Sequence, residues 1–384
     1  MIPESVEQME AESRRPAPSA AEVVTAYRVE ENPHPASVQE RAKVLANPGF
    51  GVYFSDHMGR ATWTAEEGWG DYRVVPYGPT ALDPAGAVLH YGQEVFEGLK
   101  VYRHEDGSFW TFRPTYNALR MNYSSGRLAI PEFPVEAFLG SITALTRQDA
   151  AWVPDKPGSL YLRPFVFASE SFLGVRSAQR FEYFLIASPS GAYFPNGFQP
   201  INLWVERDYH RAGPGGMGAA KTGGNYAASL LPKLRAAREG YDEVLFLDAA
   251  TSTTIDELGG MNVFIVYRDG RLRTPRLTGN ILPGNTRSSI LQLAHDAGVD
   301  AAEETLVFDD VVADIRSGAI SEMFACGTAA VVTSIGSLSG TDANGQEFRL
   351  ELKDSTVAKR VYDTLTGIQY GTIADPHNWM YRID

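Results

Sequence analysis

Apolar and polar positions alternate over short distances in the first half of the chain and switch repeatedly to helical spacing. Between Gly51 and Pro195 the runs VVPYG, VYR, SFWTF, YLRPFVFAS and EYFLIAS have the length and residue types of strands. Among them, TYNALRMNYSSGRLAI and AFLGSITALTRQDAAW place apolar residues at helical spacing. In the second half, NYAASLLPKLRAAREGY predicts a helix with Leu230, Leu231, Leu234 and Ala237 on its buried face and Gly240 as its stop, despite Pro232 in its interior. DEVLFLDA and NVFIVYRDGRLRTP predict strands, the latter with a turn at Asp269-Gly270, and TRSSILQLAHDAG predicts a helix. Strands and helices mixed in this order indicate an α/β or mixed α+β fold, not a helical bundle.

The punctuation of the pattern divides the chain. Residues 1–40 are rich in Pro, Glu, Ser and Ala and are expected to form an extended or partly disordered arm. A smaller N-terminal α/β domain is expected over 41–193, a Gly/Pro-rich connection over 194–216, and a larger C-terminal domain over 217–384. A chain of 384 residues has the material for two such cores.

Charge narrows the partners. With 34 Lys+Arg against 47 Asp+Glu the formal charge is −13, which disfavours nucleic acid and anionic membrane surfaces while leaving small anions open to a locally positive pocket. The single cysteine, Cys326, rules out an intramolecular disulfide framework and fits a reducing compartment. The first stretch has no apolar core of the signal-peptide kind, and no window approaches the roughly 20 apolar residues of a membrane span, so a cytoplasmic location is expected.

Four segments carry candidate chemistry. Lys221, in GMGAAKTGGNYAAS, is a primary amine among small residues that would let a planar cofactor approach the backbone. An amine on a flexible stem condenses with an aldehyde, although a lone loop lysine is most often simply solvated. Glu257, in TIDELGGMNVF, is a carboxylate that could keep a pyridine nitrogen protonated; a turn carboxylate is the plainer account, and Asp256 is a rival that points the other way on an extended segment. In NILPGNTRSSIL, Gly284, Asn285 and Thr286 precede an amphipathic helix whose N-terminus is a ready phosphate site or an ordinary cap. In CGTAAVV, Gly327, Thr328 and Ala329 could present consecutive N–H groups to an anion, or form a buried strand.

Arg120 and Arg163 sit among apolar neighbours, where a guanidinium is either paired or ligand-binding. His90 is expected to be structural, and the seven histidines show no metal-ligand spacing. GxxxxGK[ST] and GxSxG are both absent, which removes support for a P-loop NTPase or a serine hydrolase.

Taken in order, YFSDHM, LDPAGAVLHYGQEVFEGLKVYR, LRMNYSSGRLAIP, YLRPFVFASESFLGV, KTGGNYAASL, DELGGMNVF, LPGNTRSSIL and CGTAAVV resemble the branched-chain amino acid aminotransferases, pyridoxal 5'-phosphate (PLP) enzymes of fold type IV, in their longer eukaryotic-type branch. The resemblance implies a two-domain fold whose C-terminal domain binds PLP. It implies Lys221 as the Schiff-base lysine, Tyr226 as donor to the cofactor's phenolic oxygen and Glu257 as partner of its pyridine nitrogen. Arg120, Asn285, Thr286 and Thr328 would hold the phosphate.

For substrate it implies the N–H groups of Thr328 and Ala329 on the α-carboxylate and a side-chain pocket of Tyr91, Phe96, Tyr161, Arg163 and Tyr193. Leu173 and Val175 would come from a neighbouring subunit, making a homodimer the functional unit. The implied activity is transfer of the amino group of Leu, Ile or Val to 2-oxoglutarate. D-amino acid aminotransferase, aminodeoxychorismate lyase and a PLP-binding protein without turnover are the alternatives. Two departures stand out: Ala330 and Thr333 occupy the positions of a redox CxxC found in mammalian members, and DYHRAGPGGMGAA is unusually rich in glycine.

Overall fold

A computed structural model describes residues 2–191, 198–342 and 345–384. Its contacts divide into two units: residues 1–195 with 220–223 and 367–384, and residues 196–219 with 224–366. The expected contiguous division differs: the connection over 194–216 falls almost wholly within the second unit, and the first unit, not the C-terminal one, is the larger. The tetrapeptide holding Lys221 and residues 367–384 both belong to the first unit.

Among the described residues, the first unit is built on a nine-stranded sheet. Its order is Arg28–Val29, Gly68–Pro76, His57–Thr64, Arg180–Ser190, Ser159–Ala168, Leu99–Arg103, Phe109–Phe112 and Met380–Arg382, with Glu94–Phe96 added beside Ser159–Ala168. The pairings are antiparallel except for Arg28–Val29 on Gly68–Pro76. Alternation along Ser159–Ala168 separates two chemistries: Leu160, Leu162 and Val166 enter the core with helices Pro114–Arg127 and Val135–Gln148. The odd-numbered residues, Tyr161, Arg163, Phe165 and Phe167, line the opposite face. There Phe165, Phe167 and Phe184 stack with centroids 5.5–5.9 Å apart.

Residues 2–40 hold more regular structure than their composition suggested. Ser5 and Ser19 cap helices Val6–Ser13 and Ala20–Val23, and Ser37 with Glu40 forms a capping box for Val38–Ala46. Met9 is fully buried against Tyr116 and Leu119, so local caps and one apolar anchor overcome the polar bias of the segment.

The second unit, again among the described residues, holds a mixed nine-stranded sheet ordered Ile255–Leu258, Glu243–Leu247, Ile201–Glu206, Val331–Thr341, Ile320–Gly327, Asn262–Tyr267, Leu272–Pro275 and Ala301–Glu304, with Glu347–Glu351 on Val331–Thr341. Ile201–Glu206 runs parallel to both of its neighbours. Strands such as Glu243–Leu247 and Asn262–Tyr267 are buried nearly throughout, which explains their continuous apolar runs.

Helix Gly223–Arg238 is present but turned from its expected orientation. Asn225, Ser229, Pro232 and Ala236 face inward, while Leu230, Leu231 and Leu234 are 64%, 44% and 50% exposed. Small and polar residues at that spacing allow close packing, and Pro232 sits on the same inward stripe. Among the described residues, no helix is long and apolar enough to cross a membrane.

Candidate active site

In the first unit, Lys221 is held by its own backbone. Its N–H donates to Ser124 Oγ at 2.9 Å, and its carbonyl accepts from the Phe96 N–H at 3.0 Å. Ala220 and Thr222 on either side are buried, and Lys221 itself is half-buried. The amine Nζ lies 4.7 Å from the centroid of the Phe96 ring. The same ring carries the Arg163 guanidinium at 4.8 Å, so one aromatic side chain borders both cations.

Arg163 Nη2 donates to the Tyr161 hydroxyl at 3.0 Å, a contact that follows from their i, i+2 spacing on one strand. That hydroxyl lies over Gly98, where any Cβ would collide with it. Phe50 packs edge-on to Tyr161 at 5.0 Å. The aromatic wall, the guanidinium and the amine therefore share one neighbourhood of the first unit.

Arg120 is also deeply buried, but its described partner is an acid. Nε and Nη2 reach the two oxygens of Glu97 at 2.7 and 2.8 Å, and Asn117 Nδ2 donates to the same carboxylate at 2.8 Å. Two of the five guanidinium donors are thus directed at Glu97, and a phosphate contact would have to use the others. Glu97 lies inside the FEGLK block but was not singled out from sequence, because its partner is 23 residues away on another element.

Tyr91 donates its hydroxyl to the Leu173 carbonyl within the same chain, and the side chains of Leu173 and Val175 are 62% and 88% exposed. Arg176 clips that loop, pairing with Glu170 at 2.8 Å and lying 3.8 Å from the Phe172 ring centroid. Tyr193 lies outside the described residues. His90 Nε2 sits 2.9 Å from the Pro84 carbonyl, which fits a structural role.

In the second unit, Glu257 is 2% exposed and its Oε1 pairs with Arg211 Nη1 at 2.8 Å. The Leu282 N–H donates to Oε1 at 2.9 Å, and Asn262 Nδ2 to Oε2 at 3.2 Å. Arg211 in turn donates to the carbonyls of Gly218 and Asn280 at 3.3 and 3.1 Å. A buried carboxylate with a buried cation and amide donors is strongly oriented. Arg211 was missed from sequence, since nothing in the Gly-rich DYHRAGPGGMGAA marks its partner. Asp256 differs sharply: burial pushes its carboxyl up to about 7, with the charges of Glu257 and Asp248 adding to the effect.

Helix Asn285–Asp296 begins after Gly284, whose place at the N-cap offers no side chain to the first turn. A Cβ there would run into the Asn262 amide, so the site requires glycine. Tyr226 lies on helix Gly223–Arg238, its ring 3.7 Å from where a Cβ on Gly260 would stand. Thr328 and Ala329 occupy the turn after strand Ile320–Gly327, and Val331 leaves that turn at φ 61°, a left-handed conformation costly for a β-branched residue. Cys326 beside it is fully buried, and burial pushes its thiol up to about 12.

These two sets of residues can be set against known proteins. The class IV amino-transferase family matches residues 94–338. A probable branched-chain-amino-acid aminotransferase of Streptomyces coelicolor is 51% identical over 352 residues, 91% of this chain and 96% of its own. The branched-chain-amino-acid aminotransferase of Mycolicibacterium smegmatis is 50% identical over 364 residues, 93% of this chain and 98% of its own. Among solved structures, the T.th. branched-chain amino acid aminotransferase complexed with N-(5'-phosphopyridoxyl)-L-glutamate aligns at a TM-score of 0.68 and 26% identity, covering 84% of this chain and 98% of that one.

Proposed function

The chain belongs to the class IV aminotransferases, and from that premise we propose that it moves the amino group of branched-chain L-amino acids to 2-oxoglutarate, giving branched 2-oxoacids and L-glutamate, with PLP anchored on Lys221. The observation that carries this reading is the seat of Lys221: an amine fixed through both of its peptide groups, bordered by an aromatic ring that also carries an arginine.

The donor set fits the cofactor. It offers a half-buried amine for an aldehyde, a buried carboxylate oriented by Arg211 for a pyridinium, and a helix N-terminus after Gly284 for a phosphate. When bound, PLP supplies the electron sink into which the substrate's Cα–H electrons are drawn. Everything else falls to the chain. Lys221 would hold the group covalently and, when free of it, would act as the base that takes the substrate's Cα proton and delivers it two bonds away, across the nitrogen. Glu257 would partner the pyridine nitrogen, its carboxylate aimed by the ion pair with Arg211. Tyr226 would donate to the phenolic oxygen, and the backbone of Asn285 and Thr286, the Thr328 hydroxyl and Arg120 would hold the phosphate.

Substrate recognition has to serve two side chains of opposite character. The N–H groups of Thr328 and Ala329 take the α-carboxylate common to both. Tyr91, Phe96 and Tyr161 would give an alkyl group apolar surface. Arg163, steadied by the Tyr161 hydroxyl, meets the distal carboxylate of glutamate and 2-oxoglutarate. The exposed Leu173 and Val175 are assigned to the site of a second copy, so a homodimer in the cytoplasm is proposed.

Purified protein with PLP should show a visible absorbance band that changes on adding L-leucine and recovers on adding 2-oxoglutarate, with glutamate formed in equal amount. Absence of the leucine-dependent change, with cofactor bound, would overturn the assignment.

A further inference from the structure

The two residues after Lys221 are held by one side chain. Glu94 Oε1 accepts from the Thr222 hydroxyl at 3.1 Å and from the Gly223 N–H. A Cβ at position 223 would stand 2.6 Å from that oxygen, so the approach exists only because the residue is glycine. Thr222 is fully buried with this contact. Glu94 and Phe96 lie two apart on the short strand Glu94–Phe96 and so project to the same side. One supplies the brace behind the lysine, the other an N–H to its carbonyl and a ring under its amine.

We propose that Glu94 is a positioning residue for Lys221: its carboxylate holds Thr222 and Gly223, and through them the Cα about which the reactive amine swings. This rests on the reading of Lys221 as cofactor anchor and base. The amine has to find the same place twice in each half-reaction, as anchor and as proton carrier, and the four-carbon stem is flexible. The fixed point is therefore the backbone, now tied at Ser124, Phe96 and Glu94. Burial keeps the Glu94 carboxyl above its ordinary value, opposed by the Gly223 N–H, the Thr222 hydroxyl and the nearby Arg163, which marks the group as enclosed with its partners and not as a solvated loop acid.

The test measures the brace and the chemistry separately. In the PLP-loaded enzyme, Glu94→Ala should speed hydrogen exchange at the Gly223 N–H by at least about tenfold, since the acceptor of its hydrogen bond is lost. It should slow the saturating single-turnover rates with leucine and with 2-oxoglutarate alike, by up to about a hundredfold, the scale of an ångström-sized misplacement. The half-saturating concentrations should change little. Glu94→Gln, whose amide oxygen still accepts both bonds, should restore most of the protection and most of the rate.

Thr222→Val removes one bond from a residue of the same shape, and should give a smaller rise in exchange even if the alanine variant does not fold. Unchanged exchange at Gly223 in both Glu94→Ala and Thr222→Val would overturn the proposal. So would fast exchange with an unaltered saturating rate, or a glutamine variant as impaired as alanine, which would assign the effect to charge and not to bracing. Failure of the wild-type absorbance change with leucine would sink the functional reading instead, and leaves the exchange comparison intact as a test of the brace.

Discussion

Replacing Arg163 by glutamine separates the two kinds of substrate the site is asked to accept. The guanidinium is half-buried, one nitrogen is tied to the Tyr161 hydroxyl at 3.0 Å, and its carbon stands 4.8 Å from the Phe96 ring centroid. Meeting a distal carboxylate with this group forms charge-assisted hydrogen bonds worth about 2 to 3 kcal/mol, so Arg163→Gln should lower kcat/KM for 2-oxoglutarate by roughly 30- to 150-fold. Leucine makes no such bond. It loses only the altered packing on Phe96, on the scale of an exposed cation–π contact of about 0.5 to 1 kcal/mol, or roughly two- to fivefold. Stopped-flow absorbance of each half-reaction, started from the two forms of the loaded enzyme, gives the losses independently. A ratio of the two losses near one would mean that Arg163 shapes the wall instead of reading the carboxylate, and would refute the account of dual recognition.

Lys221→Ala should abolish multiple turnover while phosphate-mediated cofactor binding persists in part, measured by activity and by equilibrium dialysis of PLP; a near-normal kcat would sink the anchor assignment. Glu257→Gln should keep the cofactor and lose about 10²-fold or more in rate, because a neutral amide cannot hold the pyridinium proton; unchanged kinetics would point to Asp256. Asp256 itself keeps its proton to about pH 7 in the folded chain and releases it near pH 4 when unfolded, so stability should fall as pH rises across that window. Denaturation midpoints of Asp256→Asn should be less pH-dependent there than those of the wild type, and parallel curves would refute the shift. Cys326, fully buried and with its thiol pushed up to about 12, should resist iodoacetamide in native protein and react in denaturant; rapid native alkylation would show that the strand opens.

The parts of this site that sequence made legible are those whose chemistry is local. A lysine among small residues, a glycine at a helix start and two residues two apart on a strand are short-range patterns. They drew attention to Lys221, Gly284 and Arg163 as candidates, while Tyr161 beside Arg163 came from the family resemblance. What escaped is long-range. Ser124, Glu94 and Phe96 tie the Lys221 segment from about 100 to 130 positions away, and neither Glu97 beneath Arg120 nor Arg211 beside Glu257 announces its partner along the chain.

Helix Gly223–Arg238 failed for a different reason. Apolar periodicity pointed to its leucines as the buried stripe, yet packing took Asn225, Ser229, Pro232 and Ala236, where small volume and hydrogen bonding outweighed hydrophobicity. Several strands, by contrast, follow from residue type and run length: EYFLIAS, YLRPFVFAS, DEVLFLDA and NVFIVY all lie on strands, whereas His57–Thr64, Ile201–Glu206 and Val331–Thr341 were not marked out by their own pattern.

The strand formed by Met380–Arg382 pairs with Phe109–Phe112 at the edge of the first unit's sheet, Ile383 is fully buried, and its carbonyl accepts from Arg147 at 2.9 Å. A ribosome therefore delivers this piece of the N-terminal sheet only after the whole of the second unit has been made. Until then Phe109–Phe112 is an open edge with unpaired backbone groups, the kind of surface that recruits other chains. The unit synthesised first is the one completed late, and a stop codon ahead of Met380 would injure a sheet whose other strands had long since been translated.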